Sequence, residues 1–227
     1  MRKHQFRDPY FYPAYTRPHF TNRREMRSNA IAPRIARDYP PVPMQNKLEL
    51  RRTLLTSRKA LAADQRAIFD RRLSDKILQW WRAEKPASLG VYWAMRGEPD
   101  VHQAYAELAA AGVQLALPLI VGDNAPLQFV SWTPGEALRK DRFGTDIPAA
   151  DNALIQPQAL LIPCLGFNAD CFRLGYGGGF YDRTLAQEPR PRTLGVAYAL
   201  GEVDFSAEVY DVALDAVVTE EAVFQRP

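Results

Sequence analysis

Short, nearly continuous apolar runs separated by amphipathic stretches are what most constrain this chain. Residues 88–94 (SLGVYWA), 113–120, 127–132, 159–163, 193–199 and 216–219 each read as a strand. Several lack the strict alternation of a sheet with one wet face, so they read as strands buried on both sides. Leu48, Leu50, Leu54, Leu55 and Leu61, with Arg and Lys interspersed, predict a first amphipathic helix. Ala63-Asp64 can begin a second, whose Ile68, Leu73, Ile77, Leu78 and Trp81 form a stripe that stops near Pro86. A third is expected from Pro99 to Ala111, ended by Gly112, and a fourth over residues 180–187. Residues 133–158, rich in Pro, Gly and Asp, read mostly as loop. Alternating helices and doubly buried strands predict an α/β fold with a largely parallel sheet covered on both faces.

Residues 1–43 are a different kind of polymer. They hold seven of the 18 prolines, no glycine, and nine Lys/Arg against three Asp/Glu. The rest of the chain carries 20 Lys/Arg and 23 Asp/Glu, so the basic character of the whole belongs to this segment. Its Tyr and Arg follow neither helical nor strand period, and so little apolar surface cannot offset the entropy of ordering it. The expectation is a disordered basic tail over 1–43 and a single α/β domain over 44–227. A basic arm for nucleic acid is one reading of the tail. Without a recognition motif the plainer readings are preferred: a tail without function, or a start assigned upstream of Met44.

Other classes are excluded on simple grounds. No apolar run approaches a membrane span, and no apolar segment follows the basic N-terminus as in a secretory signal. Cys164 and Cys171 are too few for a disulfide framework or a zinc site, and read as free thiols in a reducing cytoplasm. His4 and His19 lie in the tail and His102 on a predicted helix, which gives no basis for a histidine triad.

Chemistry concentrates in residues 160–185, LLIPCLGFNADCFRLGYGGGFYDRTL. A buried strand leads through a turn into Gly175-Tyr176-Gly177-Gly178-Gly179 and then into a helix. Glycines permit positive φ and let amide groups approach an anion with no Cβ in the way. Such amides at the positive end of a helix make a phosphate cradle. Arg173 and Arg183 flank the run and can add charge-assisted hydrogen bonds. Asp182 suits Mg2+, which takes oxygen ligands shared with phosphates. No Gly-Lys-Ser/Thr follows, so this is not a Walker A loop, and Phe180 stands where a dinucleotide fingerprint needs its third glycine.

The run from Arg173 to Arg183 closely resembles the signature of the 5-formyltetrahydrofolate cyclo-ligase family, also called methenyltetrahydrofolate synthetases. The resemblance extends over residues 47–219. Further landmarks are Lys47-x-x-x-Arg51, Met95-Arg96-Gly97-Glu98, Leu117-Pro118, Ile162-Pro163 through Phe167, Gly195 through Tyr198, and Tyr210-Asp211 with Asp215 through Thr219. It implies a three-layer α/β/α sandwich with a Rossmann-like sheet and a cytoplasmic, monomeric ligase without membrane or nucleic-acid partner. The implied reaction joins N10 of 5-formyltetrahydrofolate to its formyl carbon at the expense of ATP, through a phosphorylated formyl group.

The resemblance also implies residue roles. Lys47 and Arg51, four apart on one helical face, match the pair that contacts ATP phosphates, together with Arg173, Leu174, Gly175, Tyr176, Gly177, Gly178, Gly179, Phe180 and Tyr181. Trp93, Glu98 and the stretch Tyr176–Phe180 match folate-contacting positions. Arg173, Tyr181 and Asp182 match the catalytic set, and Asp182 and Asp211 the aspartates linked to Mg2+. On this reading Asp182→Ala stops turnover with little loss of fold. Cys164, Asn168, Cys171, Phe180 and Tyr210 depart from the commoner residues and bear on substrate affinity more than on reaction type. The alternatives are an ATP-dependent small-molecule kinase on the same scaffold and nucleic-acid binding through the tail.

Overall fold

The structure, a computed structural model, describes residues 46–141 and 143–226. The readings made of residues 1–43 lie outside the described residues. Among the described residues four α-helices appear in chain order. Helix α1 (Lys47–Lys59) starts where the Asn46 side chain accepts the Leu48 amide, an N-cap that satisfies one of the donors a helix start leaves open. Helix α2 (Ala63–Glu84) ends at Lys85, which takes the left-handed conformation and donates its amide to Trp81. Helix α3 (His102–Ala110) begins three residues later than expected. The Pro99 carbonyl instead accepts the Tyr92 hydroxyl at 2.8 Å, and Asp100 turns back to accept the His102 amide. Helix α4 (Phe180–Leu185) follows the glycine run.

The strands are β1 (Ser88–Gly90), β2 (Gln114–Leu119), β3 (Gln128–Trp132), β4 (Leu138–Lys140), β5 (Asp146–Pro148), β6 (Leu154–Ile155), β7 (Ala159–Pro163), β8 (Gly166–Phe167), β9 (Arg173–Leu174), β10 (Arg192–Val196), β11 (Ala216–Val218) and β12 (Val223–Gln225). Eight form one sheet in the order β12-β11-β10-β7-β1-β2-β3-β6. The five strands from β11 to β2 run parallel, and β12, β3 and β6 add antiparallel edges. The edge pairs β2–β3 and β11–β12 are joined by short loops, which can only return the chain antiparallel. Two small hairpins, β4–β5 and β8–β9, stand apart from the sheet. The segment expected to be loop therefore holds three short strands, β4 to β6.

Period-two alternation splits the core between the two faces of the sheet. On β7, Ala159 and Leu161 pack with Leu73, Ile77, Tyr105 and Leu108 of α2 and α3. Leu160 and Ile162 point the other way, toward Leu185 of α4, Phe167 and Phe129. A third cluster seats Leu50 and Leu54 of α1 on Leu165, Leu174 and Phe205. Helix α1 is thus fastened to the loops that follow β7 and β10 rather than to the sheet itself.

Strand β1 is shorter than its apolar run. Ladder pairing stops at Gly90, the Val91 amide still reaches Ala116 at 2.8 Å, and the chain then leaves the sheet. Gly90 is fixed by packing. A Cβ there would lie 2.4 Å from Leu160 Cδ2 and 2.7 Å from the Phe129 ring, both immobilised in the core. Overpacking of this kind costs about 1–3 kcal/mol. Gly90→Ala is expected to lower the free energy of unfolding by that amount in urea titration; an unchanged midpoint would show that Leu160 and Phe129 yield freely.

Candidate functional site

In parallel sheets the loops after the C-terminal strand ends meet where neighbouring strands diverge to different connections. Strands β1 and β7 are parallel neighbours, Gly90 opposite Leu160. The segment after β1 carries Trp93 and Glu98, and the segment after β7 carries β8, β9, the glycine run and α4. The two segments and the first turns of α1 enclose a cavity of about 650 Å3.

The glycine run is clasped at its ends. Arg173 on β9 donates from Nη1 and Nη2 to the two carboxylate oxygens of Asp182 on α4, at 2.9 and 2.8 Å. This planar fork is nearly buried, with the Arg173 side chain 7% and Asp182 20% exposed. The same Asp182 accepts the Val212 amide at 3.2 Å. Between the clasped ends Gly177 has φ +94° and Gly179 φ +65°, left-handed values that a side chain resists. Gly178 is required for room, because a Cβ would meet the Phe180 ring at 2.9 Å. Among the described residues the amides of Gly177, Gly178, Gly179 and Phe180 have no protein acceptor. The carbonyls are used instead: Gly175 accepts Arg51 Nε at 2.8 Å and Gly178 accepts Arg183 Nη2 at 2.8 Å. Free amides between two arginines make a concave donor surface suited to an anion.

At one end of the run lies a charge cluster. Lys47 Nζ bonds Asp211 Oδ2 at 2.7 Å and Glu208 Oε1 at 2.9 Å. Burial pulls the Lys47 ammonium down, but hydrogen bonds to Asp211 and Glu208 outweigh it and the pKa is raised. Burial likewise raises Asp211, and the Glu208 amide with Lys47 more than reverses this, so its pKa is lowered. Asp211 Oδ1 has no partner among the described residues.

At the other end Tyr176 turns its hydroxyl to Glu98, donating to Oε1 at 2.8 Å. Glu98 is 4% exposed, and its Oε2 accepts the Met95 amide at 3.0 Å. Burial raises the Glu98 pKa against these bonds and the nearby Arg58 and Arg96. Tyr176 is pushed up to about 12 by burial and the Glu98 charge. Tyr181 is raised for the same two reasons, and its ring lies 5.4 Å from the Arg173 guanidinium carbon. Trp93 lines this half beside Met95, with its ring edge-on to His102 and Trp132.

Every site residue expected from the sequence lines this one cavity. Tyr210, singled out from the sequence as bearing on substrate affinity, lines it as well; Tyr92, Leu127 and Glu208 line it too and were not expected to. Arg58 was also missed: it is 2% exposed and donates to the Tyr176 hydroxyl oxygen at 2.5 Å. Its signal was present in the helical spacing, since positions 47, 51, 54 and 58 follow one stripe of α1. Glu208 sits in irregular chain and left no sequence signal.

The Arg173 fork alters one expectation. Loss of the Asp182 carboxylate would leave a nearly buried guanidinium without its partner, so the fold should suffer along with any activity. Asp182→Asn, which keeps an acceptor for Val212, is expected to cost about 2–3 kcal/mol, somewhat less than the roughly 3–5 kcal/mol of a fully buried pair because Asp182 is partly exposed. Chemical denaturation measures it; a cost below about 0.5 kcal/mol, as for a surface pair, would contradict the clasp.

With this geometry in hand, three comparisons bear on the chain. The profile of the 5-formyltetrahydrofolate cyclo-ligase family matches residues 43–220. A 5-formyltetrahydrofolate cyclo-ligase of Mycoplasma pneumoniae is 28% identical over 180 residues, 78% of this chain and 99% of the relative. One from Escherichia coli K12 is 29% identical over 177 residues, covering 74% of this chain and 97% of the relative. Among solved structures, a 5,10-methenyltetrahydrofolate synthetase from Mycoplasma pneumoniae superposes with a TM-score of 0.66 at 23% identity, over 78% of this chain and 99% of that one. The Aquifex aeolicus 5,10-methenyltetrahydrofolate synthetase gives 0.68 at 24% identity, over 79% and 92%. These two likenesses establish the fold.

Proposed function

The chain belongs to the 5-formyltetrahydrofolate cyclo-ligase family, and on that premise we propose that it converts 5-formyltetrahydrofolate to 5,10-methenyltetrahydrofolate, consuming ATP and releasing ADP and phosphate. One observation carries the reading: a single glycine loop joins a donor-rich anion cradle to a half-cavity bearing a buried carboxylate. A nucleotide and a folate would thus share one loop, as direct phosphoryl transfer between them requires.

The triphosphate lies against Lys47, Arg51 and the amides of Gly177, Gly178, Gly179 and Phe180, beside Gly175 and Leu174. Folate takes the half lined by Trp93, Glu98, Tyr176 and Phe180, where aromatic faces can stack on its ring system. The formyl oxygen attacks the γ-phosphorus, the bond to the β-phosphate oxygen breaks, and ADP leaves. N10 then attacks the formyl carbon, the carbon–oxygen bond breaks with departure of phosphate, and N10 gives up its proton. Phosphorylation turns a poor amide oxygen into a leaving group. The protein's part is to align the reactants and to offer donors where negative charge gathers.

Arg173 and Tyr181 serve that purpose at the centre. The guanidinium is held in one orientation by Asp182, so its field on the cavity is fixed before substrate arrives. Burial and the Glu98 charge keep Tyr181 protonated, and its hydroxyl is a donor for the transferring group.

The donor set fits Mg2+ bound with phosphates, which needs only one or two carboxylates. Among the described residues no group of three His, Cys, Asp or Glu could form a cage for it. Asp211 retains the free Oδ1, and the three hydrogen bonds at Asp182 leave one of its acceptor positions open. Asp211 and Asp182 would hold the ion, which would draw charge from the phosphate oxygens.

A cytoplasmic, monomeric enzyme with the tail 1–43 outside the catalytic domain completes the proposal. Among the described residues no helix is long and apolar enough to cross a membrane.

Mixing protein, ATP, Mg2+ and 5-formyltetrahydrofolate is expected to develop the absorbance of methenyltetrahydrofolate. ATP consumption without that absorbance would contradict the ligase reading and favour a kinase. Lys47→Ala is expected to raise KM for ATP about tenfold, by loss of a charge-assisted contact, with KM for folate changed less. The reverse order would place α1 against folate instead.

A further inference from the structure

Arg58 is the buried charge that the proposed reaction leaves unexplained. It lies in the last turn of α1 and is 2% exposed. Its Nη2 donates to the Arg96 carbonyl at 3.2 Å and to the Tyr176 hydroxyl oxygen at 2.5 Å. Nε and Nη1 are buried and have no partner among the described residues. A buried guanidinium with idle donors and no carboxylate in direct contact is a costly arrangement for stability alone. Its closest link to a counter-charge runs through Tyr176, whose hydroxyl also contacts Glu98.

Hydrogen-bond chemistry gives this relay one direction. A guanidinium can only donate, so the Tyr176 oxygen accepts from Arg58 and its single proton goes to Glu98. Glu98 Oε1 is thereby an acceptor, and Oε2 is occupied by the Met95 amide. The second contact of Arg58 reinforces the first. The Arg96 carbonyl belongs to the turn Met95–Glu98, in which Arg96 has φ +52° and Gly97 φ +75°. A left-handed arginine is strained by about 1 kcal/mol and must be held by its surroundings. The Arg96 guanidinium carbon in turn lies 5.1 Å from the Tyr176 ring centroid. One buried side chain thus ties the strained turn that bears Glu98 to the glycine loop.

We propose that Arg58 is a positioning residue for the folate half of the cavity: through the Tyr176 hydroxyl and the Arg96 carbonyl it aims Glu98 and makes it meet substrate as a charged acceptor. This rests on the reading of Glu98 as the folate-binding carboxylate. Helix α1 then serves both halves of the site, with Lys47 and Arg51 facing phosphates and Arg58 acting from beneath on folate.

The pH dependence has a definite sign. The charged neighbours of Glu98 are Arg58 on α1 and Arg96 on its own turn. The remaining ionisable groups around it are phenols (Tyr92, Tyr105, Tyr176, Tyr181) and the Cys164 thiol. All five are raised by burial and stay neutral at physiological pH. Burial raises Glu98 and the arginines oppose it. Removal of Arg58 therefore moves loss of the Glu98 charge to higher pH.

The test compares wild type, Arg58→Met, Arg58→Lys and Tyr176→Phe across pH. Arg58→Met is expected to raise KM for 5-formyltetrahydrofolate about tenfold while KM for ATP stays within about twofold, the loss expected for a hydrogen-bonded charge. The acid limb of kcat/KM for folate should move to higher pH in Arg58→Met and return part of the way in Arg58→Lys. Tyr176→Phe should raise the same KM, and its effect should not add to that of Arg58→Met. An unmoved acid limb, or equal rises in both KM values, overturns the proposal. If Arg58→Met does not fold, Tyr176→Phe decides: an unchanged folate KM overturns it. A wild type that forms no methenyl product contradicts the ligase reading instead. The relay is then tested by quenching of tryptophan fluorescence on binding 5-formyltetrahydrofolate at the same pH values, with the same expected shift between variants. No binding by wild type overturns both.

Discussion

The fork between Arg173 and Asp182 is the interaction on which the rest of the site depends. Eight residues lie between the two, and they form a loop with almost no internal ladder to hold it. A loop with two left-handed glycines and unused amides would sample many shapes if its ends were free. Two parallel hydrogen bonds at nearly buried positions fix separation and twist at once. The Asp182 carboxylate also takes the Val212 amide, which anchors the segment that presents Glu208 and Asp211. A single ion pair thus sets the cradle and one wall of the cavity.

Around this clasp the sheet supplies convergence and α1 supplies charge. Strands β1 and β7 lie side by side in parallel, so the turn at Glu98 and the glycine loop leave the sheet at the same edge. Tyr176 closes the gap between them. Helix α1 covers the loop from outside, seated by Leu50 and Leu54; it brings Arg51 to Gly175 and Arg58 to Tyr176 of the loop, and Lys47 to Asp211 in the segment beside it. Each of these cations is met by an acceptor: carboxylates for Lys47, a carbonyl for Arg51, and a hydroxyl and a carbonyl for Arg58. The site is therefore assembled before substrate arrives, and little reorganisation is left for the reaction.

Much of this was legible in the sequence because the physical demands are local. A run of four glycines in five residues has few uses other than positive φ and close approach. Lys47 and Arg51 share a helical face by spacing alone. The central strands were found because doubly buried strands are apolar throughout. What was missed depends on tertiary contact. Residues 88–94 look like one strand, yet Tyr92 is drawn off the ladder by Tyr105 and Pro99. Strands β8 and β9 have two residues each and form by pairing with each other and, at Phe167, with the chain at Glu202. Arg58 looked like another solvated cation of an amphipathic helix, and its burial comes from chain that folds over it from residues 96 and 176. Asp182 was read as a metal ligand, and nothing local in its sequence announces that Arg173 takes both of its oxygens.

The role assigned to this pocket is transfer of phosphate onto the formyl oxygen of folate. The most direct measurement uses 5-formyltetrahydrofolate carrying a heavy-oxygen label in its formyl group, in a single turnover with ATP, followed by mass analysis of the inorganic phosphate released. Direct transfer predicts one labelled oxygen in each phosphate formed. Phosphate free of the label, with methenyl product present, would contradict it.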